Sequence, residues 1–361
     1  MTPVPPGTTI GIVGGGQLGR MLAMAAAQLG YRAHIYAPEA SGPAADVSAV
    51  WTRGDYADGE ALSRFADSVD VITYEFENVP AAAVSLLAGL GHVQPNAEAL
   101  RIAQDRLLEK GFVIGLGGRT APYAEVGHCA ALRSAIETVG APAILKTTRF
   151  GYDGKGQVRL QDGSPQALDD AWTQIGGQPS VLEGFVRFDH EFSVLLVRGA
   201  AGEIRFWDTP LNVHEAGILA TSTVPAPAPV LAQLDEARAI AAKVADALDY
   251  VGVLTLEFFC GQDGPIFNEM APRVHNSGHW TIEGAVTSQF ENHIRAICGL
   301  PLGSTALVVP AVSMRNLIGD DAHDWRKILS DADSHLHLYG KHEARPGRKM
   351  GHVTRLHLER D

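Results

Sequence analysis

Short apolar runs alternate with longer amphipathic ones over the first hundred residues. This alternation predicts strands and helices in turn, which is typical of a parallel sheet with helices on both faces. The predicted strands cover 9–13, 33–37 and 69–74, and the predicted helices cover 20–29, 60–66 and 81–88. A further helix is predicted over 97–110, where the pattern changes. We therefore expect an N-terminal α/β domain that ends near residue 100.

The pattern after this boundary predicts two further units. The first is compact, with a helix over 129–139, strands over 143–147 and 157–160, and an end near 176. From residue 181 onward, strand signals follow one another over 191–197, 203–207 and 217–224, which predicts an antiparallel region. A long amphipathic helix over 231–248 and strands over 251–260 and 265–270 complete it. The fold class is thus a combination of α/β and α+β.

Composition narrows the class of protein. The chain has 361 residues, 46% of them hydrophobic and 19% charged, which is typical of a globular protein of two or three domains. Its net charge of −12 argues against a nucleic-acid partner. Three widely spaced cysteines favour a reducing compartment, and no apolar run approaches the ~20 residues that span a bilayer. We expect a cytoplasmic protein without a membrane partner.

The first glycine-rich loop, Gly14 to Gly19, has the spacing GxGxxG between a predicted strand and a predicted helix. Glu39 lies 20 residues after Gly19, where an acceptor for the NAD ribose would stand. Glycines and a helix N-terminus also suit other phosphates or anions, and a tight turn needs glycine without any ligand. The loop alone leaves these three interpretations open.

A second glycine-rich loop follows Lys146 and includes Gly151, Gly154, Lys155 and Gly156. It joins two predicted strands, and its backbone N–H groups and ammonium ions could surround a triphosphate. It is not a Walker loop, because GxxxxGK[ST] before a helix is absent. The alternative is a hairpin with a glycine-rich turn, although an aromatic and an acidic residue at positions 152 and 153 are unusual for a solvated turn.

Two glutamates are predicted to face each other across a hairpin. The strands over 251–260 and 265–270 are joined by Gly261-Gln262-Asp263-Gly264, and pairing symmetric about Asp263 places Glu257 opposite Glu269. Like charges at ~5 Å are destabilising unless a cation binds between them, and Mg²⁺ commonly uses one or two carboxylates together with nucleotide phosphates. The alternative is a pair of solvated side chains.

Together, the lysine-bearing glycine loop and the two glutamates about a hundred residues later resemble the ATP-grasp superfamily. Five segments are more specifically similar to the 5-(carboxyamino)imidazole ribonucleotide synthase family of purine biosynthesis. They are IVGGGQLGRM at 12–21, YEFEN at 74–78, GYDGKGQ at 151–157, NEMAPRVHNSGHWT at 268–281 and RPGRKMGH at 345–352.

The resemblance implies an ATP-grasp fold with an N-terminal Rossmann-like domain over 1–100, an ATP-grasp domain over 101–300 and a small β-rich C-terminal domain over 301–361. Within the middle domain it implies a lid over about 115–180 and a large part over about 181–300. It also implies a cytoplasmic homodimer that uses ATP, Mg²⁺ (or Mn²⁺) and bicarbonate to carboxylate 5-aminoimidazole ribonucleotide, abbreviated AIR. In that family the first glycine loop helps to hold AIR and does not bind NAD.

The resemblance also implies roles for individual residues. The ATP site would comprise Arg106, Lys146, Gly151, Tyr152, Asp153, Gly154, Lys155, Gly156, Gln157, Glu183, Gly184, Phe185, Val186, Glu191, His214, Asn268 and Glu269. The metal ligands would be Glu257 and Glu269, and the catalytic residues Tyr152, Asp153, Lys155, Arg273 and His275. AIR would contact Gln17, Leu18, Glu75, Tyr152, Asp153, Arg273, His275, Asn276, Arg348 and Lys349.

Three other functions are considered. An NAD-dependent oxidoreductase would use the first glycine loop and Glu39, but it leaves the second loop and the glutamate pair unexplained. A non-catalytic nucleotide-binding regulator would need a broken metal or phosphate set, and neither set is broken in this sequence. A ligase that uses formate or another amine acceptor is the nearest enzymatic alternative, because the ATP and metal groups do not specify the acceptor.

Overall fold

The N-terminal part of the chain forms the predicted parallel sheet. The computed structural model describes residues 2–149, 151 and 156–358. The first sheet has the order β3-β2-β1-β4, with β1 Thr9–Val13, β2 Arg32–Ala37, β3 Val50–Arg53 and β4 Val71–Tyr74. Its helices are α1 Gln17–Gln28, α2 Gly59–Ala66 and α3 Ala81–Leu90. The hydrophobic pattern does not predict β3, because this short edge strand has no fully buried side chain.

The chain leaves this sheet through two short helices, and the prediction of a single helix over 97–110 is wrong. The helices are α4 Ala97–Ala103 and α5 Arg106–Gly115. The Asp105 carboxylate accepts hydrogen bonds from the N–H groups of Leu107 and Leu108, at 3.0 and 3.2 Å, and so caps a new helix. Arg106 is therefore the first residue of α5, and its side chain reaches the site described below.

A four-stranded antiparallel sheet with two helices covers the part of the chain that we predicted to be a lid, and we keep that name for it. Its order is β5-β8-β6-β7. The elements are β5 Tyr123–Val126, α6 Cys129–Val139, β6 Ala143–Thr147, β7 Gln157–Leu160, α7 Pro165–Gln174 and β8 Ser180–Gly184. The three elements predicted between 129 and 160 are confirmed. The strand β8, which crosses the predicted limit near 180, pairs with β5 and β6.

A nine-stranded sheet forms the rest of the protein. Its order is β14-β13-β9-β11-β12-β15-β17-β16, with β10 beside β9. The strands are β9 Glu191–Arg198, β10 Ile204–Phe206, β11 Leu211–Glu215, β12 Ile218–Val224, β13 Gly252–Gly261, β14 Gly264–Ala271, β15 Ala311–Ile318, β16 Ser334–Leu338 and β17 Lys349–His357. Because β12 pairs with β15, this sheet continues across residue 300. The domain limits near 100, 180 and 300 stay a prediction.

The helices of this region are α8 Ala228–Leu231, α9 Leu234–Ala247, α10 Thr281–Gly284, α11 Gln289–Ile297 and α12 Trp325–Ile328. The single helix predicted over 231–248 is confirmed as α9, although α9 begins three residues later and a separate short helix, α8, ends just before it. There the Gln233 side chain donates a hydrogen bond to the Gly261 carbonyl, at 2.7 Å, and ties the junction to the hairpin β13–β14. Among the described residues, no helix combines the length and apolarity needed to cross a membrane.

A buried histidine joins the N-terminal sheet to the nine-stranded one. His293 of α11 accepts a hydrogen bond from the Val253 N–H through Nδ1, at 3.1 Å, and its Nε2 lies 2.9 Å from the Thr73 hydroxyl of β4. Burial lowers the pKa of His293 to about 3, so the ring is neutral and its Nε2–H donates to Thr73. Helix α1, which follows the first glycine loop, packs on α11, and α11 packs on β13. These contacts hold the first glycine loop near the hairpin β13–β14.

Candidate active site

The predicted pairing of the two glutamates is confirmed, but the symmetric register from which we predicted it is wrong. Glu257 of β13 stands opposite Glu269 of β14. The turn pairs Gly261 with Gly264, so it is centred between residues 262 and 263. A β-bulge at Asn268 then adds one residue to β14 and brings Glu269 opposite Glu257.

The two carboxylates of the pair lie close enough to repel each other when both are ionised. The Glu257 side chain is 12% exposed and that of Glu269 is 43% exposed. Burial, together with the negative charge of Glu269, raises the pKa of Glu257 to about 8. Beside the pair, the buried Asn268 Oδ1 has no hydrogen-bond partner among the described residues. These oxygen atoms suit a hard divalent cation such as Mg²⁺.

The hairpin does not form a complete metal cage by itself. No group of three or more His, Cys, Asp or Glu side chains in the described parts of the chain is arranged to hold a metal ion. Two carboxylates with open positions are instead typical of a site that shares its cation with substrate phosphates.

His275 and Arg273 follow the hairpin and border the glutamate pair. The His275 Nε2 lies 3.4 Å from Glu257 Oε1, and its Nδ1 accepts from the N–H of Ser277 at 3.3 Å. Burial, with the nearby charge of Arg273, lowers the pKa of His275 well below its usual value. The Arg273 guanidinium forms an ion pair with Glu77, at 2.5 Å. The sequence pattern singles out neither Ser277 nor the role of Glu77.

Helix α5 contributes three charged side chains, of which only Arg106 was predicted. Arg106 lies 3.3 Å from Glu269 and donates to the Gly151 carbonyl at 3.4 Å. The buried Glu109 carboxyl accepts from a backbone N–H of β14, and burial raises its pKa to about 8. Lys110 forms an ion pair with Glu183 at 3.2 Å. Glu109 and Lys110 lie three and four residues after Arg106, so the three side chains share one helix face. This spacing is the signal from which Glu109 and Lys110 could have been predicted.

Glu183 lies between two buried lysines. Lys110 and Lys146 place their Nζ atoms 3.2 and 2.9 Å from the two Glu183 oxygens. Burial opposes ionisation of this carboxyl, but the charges of Lys146, Lys110 and Arg106 lower its pKa to about 2. Burial also lowers the pKa of Lys146. Three cationic side chains, Lys110, Lys146 and Arg106, thus surround one buried carboxylate.

The backbone of the predicted adenine hinge, residues 183–186, is hydrogen-bonded to two neighbouring backbone carbonyls. The N–H groups of Gly184 and Phe185 donate to the carbonyls of Pro122 and Pro142, at 2.8 and 3.0 Å. The Phe185 ring is covered by the Arg159 guanidinium at 4.3 Å.

Glu191 and His214 are in direct contact through a carboxylate oxygen and Nδ1. Burial lowers the pKa of His214, but its hydrogen bond to Glu191 and the charge of Glu257 together raise it by more, so the net shift is upward.

The first glycine loop is occupied by protein groups. Glu75 accepts hydrogen bonds from the N–H groups of Gly16 and Gly19, at 2.8 and 3.2 Å. A Cβ added at Gly15 would lie 2.3 Å from the Trp51 ring. Because Glu75 takes the donors that a pyrophosphate would need, this geometry argues against the NAD interpretation.

The C-terminal basic segment closes the site on the other side. Arg348 donates to the Glu343 carbonyl at 3.0 Å, and the Lys349 carbonyl accepts from Lys341 Nζ at 2.7 Å. Both predicted cations line the same cavity as the glutamate pair.

One cavity of about 810 Å³ brings most of the predicted AIR and metal residues together. Its lining includes Gln17, Leu18, Glu75, Arg106, Gly151, Glu257, Glu269, Arg273, His275, Asn276, Arg348 and Lys349. Ten other predicted residues lie outside this lining: Lys146, Gly156, Gln157, Glu183, Gly184, Phe185, Val186, Glu191, His214 and Asn268. Tyr152, Asp153, Gly154 and Lys155 lie outside the described residues.

The fold and the site define an ATP-grasp enzyme. The sequence model of the ATP-grasp domain matches residues 112–290, that of the ribonucleotide synthetase preATP-grasp domain matches 7–104, and that of the phosphoribosylaminoimidazole carboxylase C-terminal domain matches 312–361. The chain belongs to the N5-carboxyaminoimidazole ribonucleotide synthase family, and it is an ATP-dependent ligase. The resemblance derived from the motifs is thereby confirmed.

Three relatives illustrate this similarity. The N5-carboxyaminoimidazole ribonucleotide synthase of Brucella melitensis biotype 1 is 51% identical over 98% of both chains. The crystal structure of the synthetase from Thermus thermophilus is 47% identical, with a TM-score of 0.90 over 97% of this chain and 94% of that one. An Aspergillus clavatus synthase, in complex with ADP and AIR, is 31% identical, with a TM-score of 0.90 over 97% and 94% of the two chains.

Proposed function

We propose that the protein carboxylates the exocyclic amine of AIR at the expense of ATP and bicarbonate, as a step of purine biosynthesis. A bicarbonate oxygen attacks the γ-phosphorus, and ADP leaves with the electrons of the broken P–O bond. The amine nitrogen then attacks the carbon of carboxyphosphate, inorganic phosphate leaves, and the amine loses one proton. The products are ADP, phosphate and the N-carboxylated nucleotide.

The observation that carries this proposal is the shared cavity. It connects the carboxylate pair on the hairpin with Arg273, His275 and the basic segment near Arg348. A phosphorylated intermediate that forms beside the carboxylates could therefore meet a ribonucleotide held by the cations without entering bulk water. Such confinement is needed because carboxyphosphate hydrolyses readily, and closed sites protect reactive intermediates from water.

The residues present fit a divalent cation at the hairpin. Glu257 and Glu269 supply two facing carboxylates, and the unpartnered Asn268 Oδ1 supplies a neutral oxygen beside them. We assign Mg²⁺ to this site, with Mn²⁺ as a substitute. When bound, the cation offsets charge on the phosphate oxygens of ATP.

The chain's own cations divide between the two substrates. Arg106 of α5 and Lys146 of the lid strand β6 are assigned to the ATP phosphates, while Glu191 and His214 are assigned to the ribose of ATP. Arg348 and Lys349 are assigned to the 5′-phosphate of AIR. These assignments follow the resemblance, and the positions of the side chains are compatible with them.

Arg273 and His275 are proposed to act on bicarbonate or its phosphorylated form. The ion pair of Arg273 with Glu77 fixes the guanidinium, and the Ser277 N–H orients the His275 ring toward Glu257. Tyr152, Asp153 and Lys155, which the resemblance also assigns to catalysis, stay predictions. The homodimer and the cytoplasmic location are likewise proposals that follow from the resemblance.

The proposed reaction is tested by measuring ADP release while AIR, bicarbonate and Mg²⁺ are each omitted in turn. ADP release should require all three, and formate should not replace bicarbonate. Absorbance at the NADH band should not change when NAD and candidate reductants are supplied. ADP release that is independent of AIR, or NADH formation without ATP, would contradict the proposal.

Glu269→Gln provides the corresponding test of the metal ligands. The change removes one charge from a site that we assign to a cation, so Mg²⁺-dependent turnover should be lost while the fold is retained. The matched control is Glu60→Gln, because Glu60 is an exposed glutamate of α2 that does not line the cavity, and turnover should be unchanged. A folded Glu269→Gln protein with normal Mg²⁺-dependent turnover would refute the assignment.

A further inference from the structure

The outer edge of β14 is hydrogen-bonded to other parts of the chain. β14 is the last strand of its sheet, so every second N–H group points away from β13. The Phe267 N–H donates to the Arg119 carbonyl at 2.7 Å. The Met270 N–H donates to the Glu109 carboxyl of α5 at 2.6 Å.

The spacing of these two outward N–H groups results from the β-bulge. In a regular strand, the next outward N–H after Phe267 would belong to Glu269, since outward groups recur at every second residue. The extra residue at Asn268 shifts this position by one, to Met270. The Glu109 carboxyl therefore meets an N–H that faces it only when the bulge is present.

The same bulge decides which residue faces Glu257. Without it, the pairing that holds from the turn to Phe267 would place Asn268 opposite Glu257. Glu269 would then face Leu256, whose side chain is fully buried in the core. The carboxylate pair thus exists only in the bulged register.

Helix α5 holds the bulged register at two points. One turn before Glu109, Arg106 contacts the Glu269 carboxylate at 3.3 Å. Glu109 itself is only 2% exposed, so its carboxyl would lack a partner for this hydrogen bond if the strand slipped. Both contacts come from one face of α5, as a spacing of three residues requires.

We propose that Glu109 is a positioning residue that sets the register of β14 and so keeps Glu269 opposite Glu257. The inference rests on the proposed function, because it assumes that these two carboxylates bind the cation of the nucleotide complex. Glu109 acts through the backbone of β14, and we do not assign it a contact with the cation or with substrate.

Two substitutions of Glu109 separate the effect of side-chain length from the effect of charge. Glu109→Gln keeps the length and an acceptor oxygen, whereas Glu109→Asp keeps a carboxyl but is one methylene too short to reach the Met270 N–H. The readout is the affinity for Mn²⁺ in the presence of ADP, measured by the electron paramagnetic resonance signal of free Mn²⁺. Glu109→Asp should bind Mn²⁺ about 10-fold more weakly, and Glu109→Gln should stay within about threefold of the parent.

Amide hydrogen exchange at Met270 provides a second measurement that needs neither metal nor turnover. Exchange should be faster in Glu109→Asp than in Glu109→Gln, because only the shorter side chain releases this N–H. The matched control is Asn292→Ala, which removes another buried side chain that accepts a backbone N–H, from Gly303 at 2.7 Å, and has no hydrogen bond to β14. It should leave both the Mn²⁺ affinity and the exchange at Met270 unchanged.

The possible outcomes are distinguishable. If Glu109→Asp binds Mn²⁺ as tightly as the parent, or if Glu109→Gln is the weaker of the two, the register role is overturned and the proposed function is untouched. If the parent itself does not bind Mn²⁺ together with ADP, the metal assignment fails, and amide exchange at Met270 alone then decides the register role: equal exchange in Glu109→Asp and Glu109→Gln would overturn it. Weak binding and fast exchange in Glu109→Asp alone would support the inference.

Discussion

Glu183→Gln removes the carboxylate that contacts both buried lysines at the lid. Lys110 and Glu183 have side chains that are 1% and 5% exposed, and the Lys146 side chain is 11% exposed. The substitution keeps the size of the side chain but removes its charge. Two ammonium groups then remain close together in a poorly hydrated place, so we expect a substantial loss of stability.

The size of this loss follows from the pKa of Glu183. The three neighbouring cations hold it at about 2, against a usual value of 4.5. At ~1.4 kcal/mol per pKa unit, this shift corresponds to about 3 to 4 kcal/mol of stability at neutral pH. Breaking a buried ion pair by removing one partner costs about 3 to 5 kcal/mol, which agrees.

The assay is urea-induced unfolding of parent and variant at neutral pH, repeated as the pH is lowered. A depressed carboxyl pKa stabilises the folded state above the unfolded value and loses this effect as the pH falls toward the folded value. The difference in the free energy of unfolding between the parent and Glu183→Gln should therefore be largest above pH 4.5 and should disappear as the pH falls from about 4.5 to 2. The exposed pair Arg133–Asp169 supplies the control, and Asp169→Asn should cost less than about 1 kcal/mol.

Either of two results would refute this reasoning. The first is a loss below about 1 kcal/mol for Glu183→Gln at neutral pH, which would mean that solvent screens the lysines despite their burial. The second is a difference that does not change between pH 4.5 and 2, which would mean that the substitution acts through packing and not through charge.

Two further predictions concern the AIR end of the cavity. Gly16→Val would place a Cβ 2.9 Å from Glu75 Oε1, so it should raise the KM for AIR about 10-fold or more while leaving the KM for ATP nearly unchanged. Micromolar affinity of the parent for NAD would contradict this view of the loop. Arg348→Ala should also raise the KM for AIR about 10-fold or more, because a charge-assisted contact with the 5′-phosphate is lost. Equal weakening for the dephosphorylated nucleoside would count against this anchor.

The secondary structure was predictable where burial is periodic. The strand β6 and the helix α6 follow the hydrophobic pattern closely because each buries one regular face, and β1 follows it as a continuous buried run. The error over 97–110 falls where a side chain interrupts a continuous apolar pattern, because Asp105 caps a new helix there. The short helix α8 was not predicted, and Gln233 stands at its junction with α9 through a hydrogen bond to a distant carbonyl. Periodicity does not record such individual hydrogen bonds.

The chemistry of the first glycine loop was less predictable than its shape. GxGxxG correctly predicts a strand, a tight turn and a helix, because Gly14 adopts a φ of +105° that other residues rarely reach. The ligand depends instead on what lies over the loop. Glu75 directly follows β4, which pairs with β1, and its carboxylate takes the N–H groups of Gly16 and Gly19. A local motif therefore cannot distinguish a phosphate site from a loop that is already occupied.

The hairpin shows why a correct pair of residues can follow from an incorrect register. The turn composition predicts a hairpin, and counting outward from Asp263 leads to Glu257 and Glu269. The actual turn is centred half a residue earlier, and the Asn268 bulge restores the same pair. The N–H that the bulge turns outward is bound by Glu109, which lies 161 residues from Met270 in the sequence. Because a strand-edge hydrogen bond of this kind has no local signature, the bulge depends on the tertiary fold, and the carboxylate pair depends on the bulge.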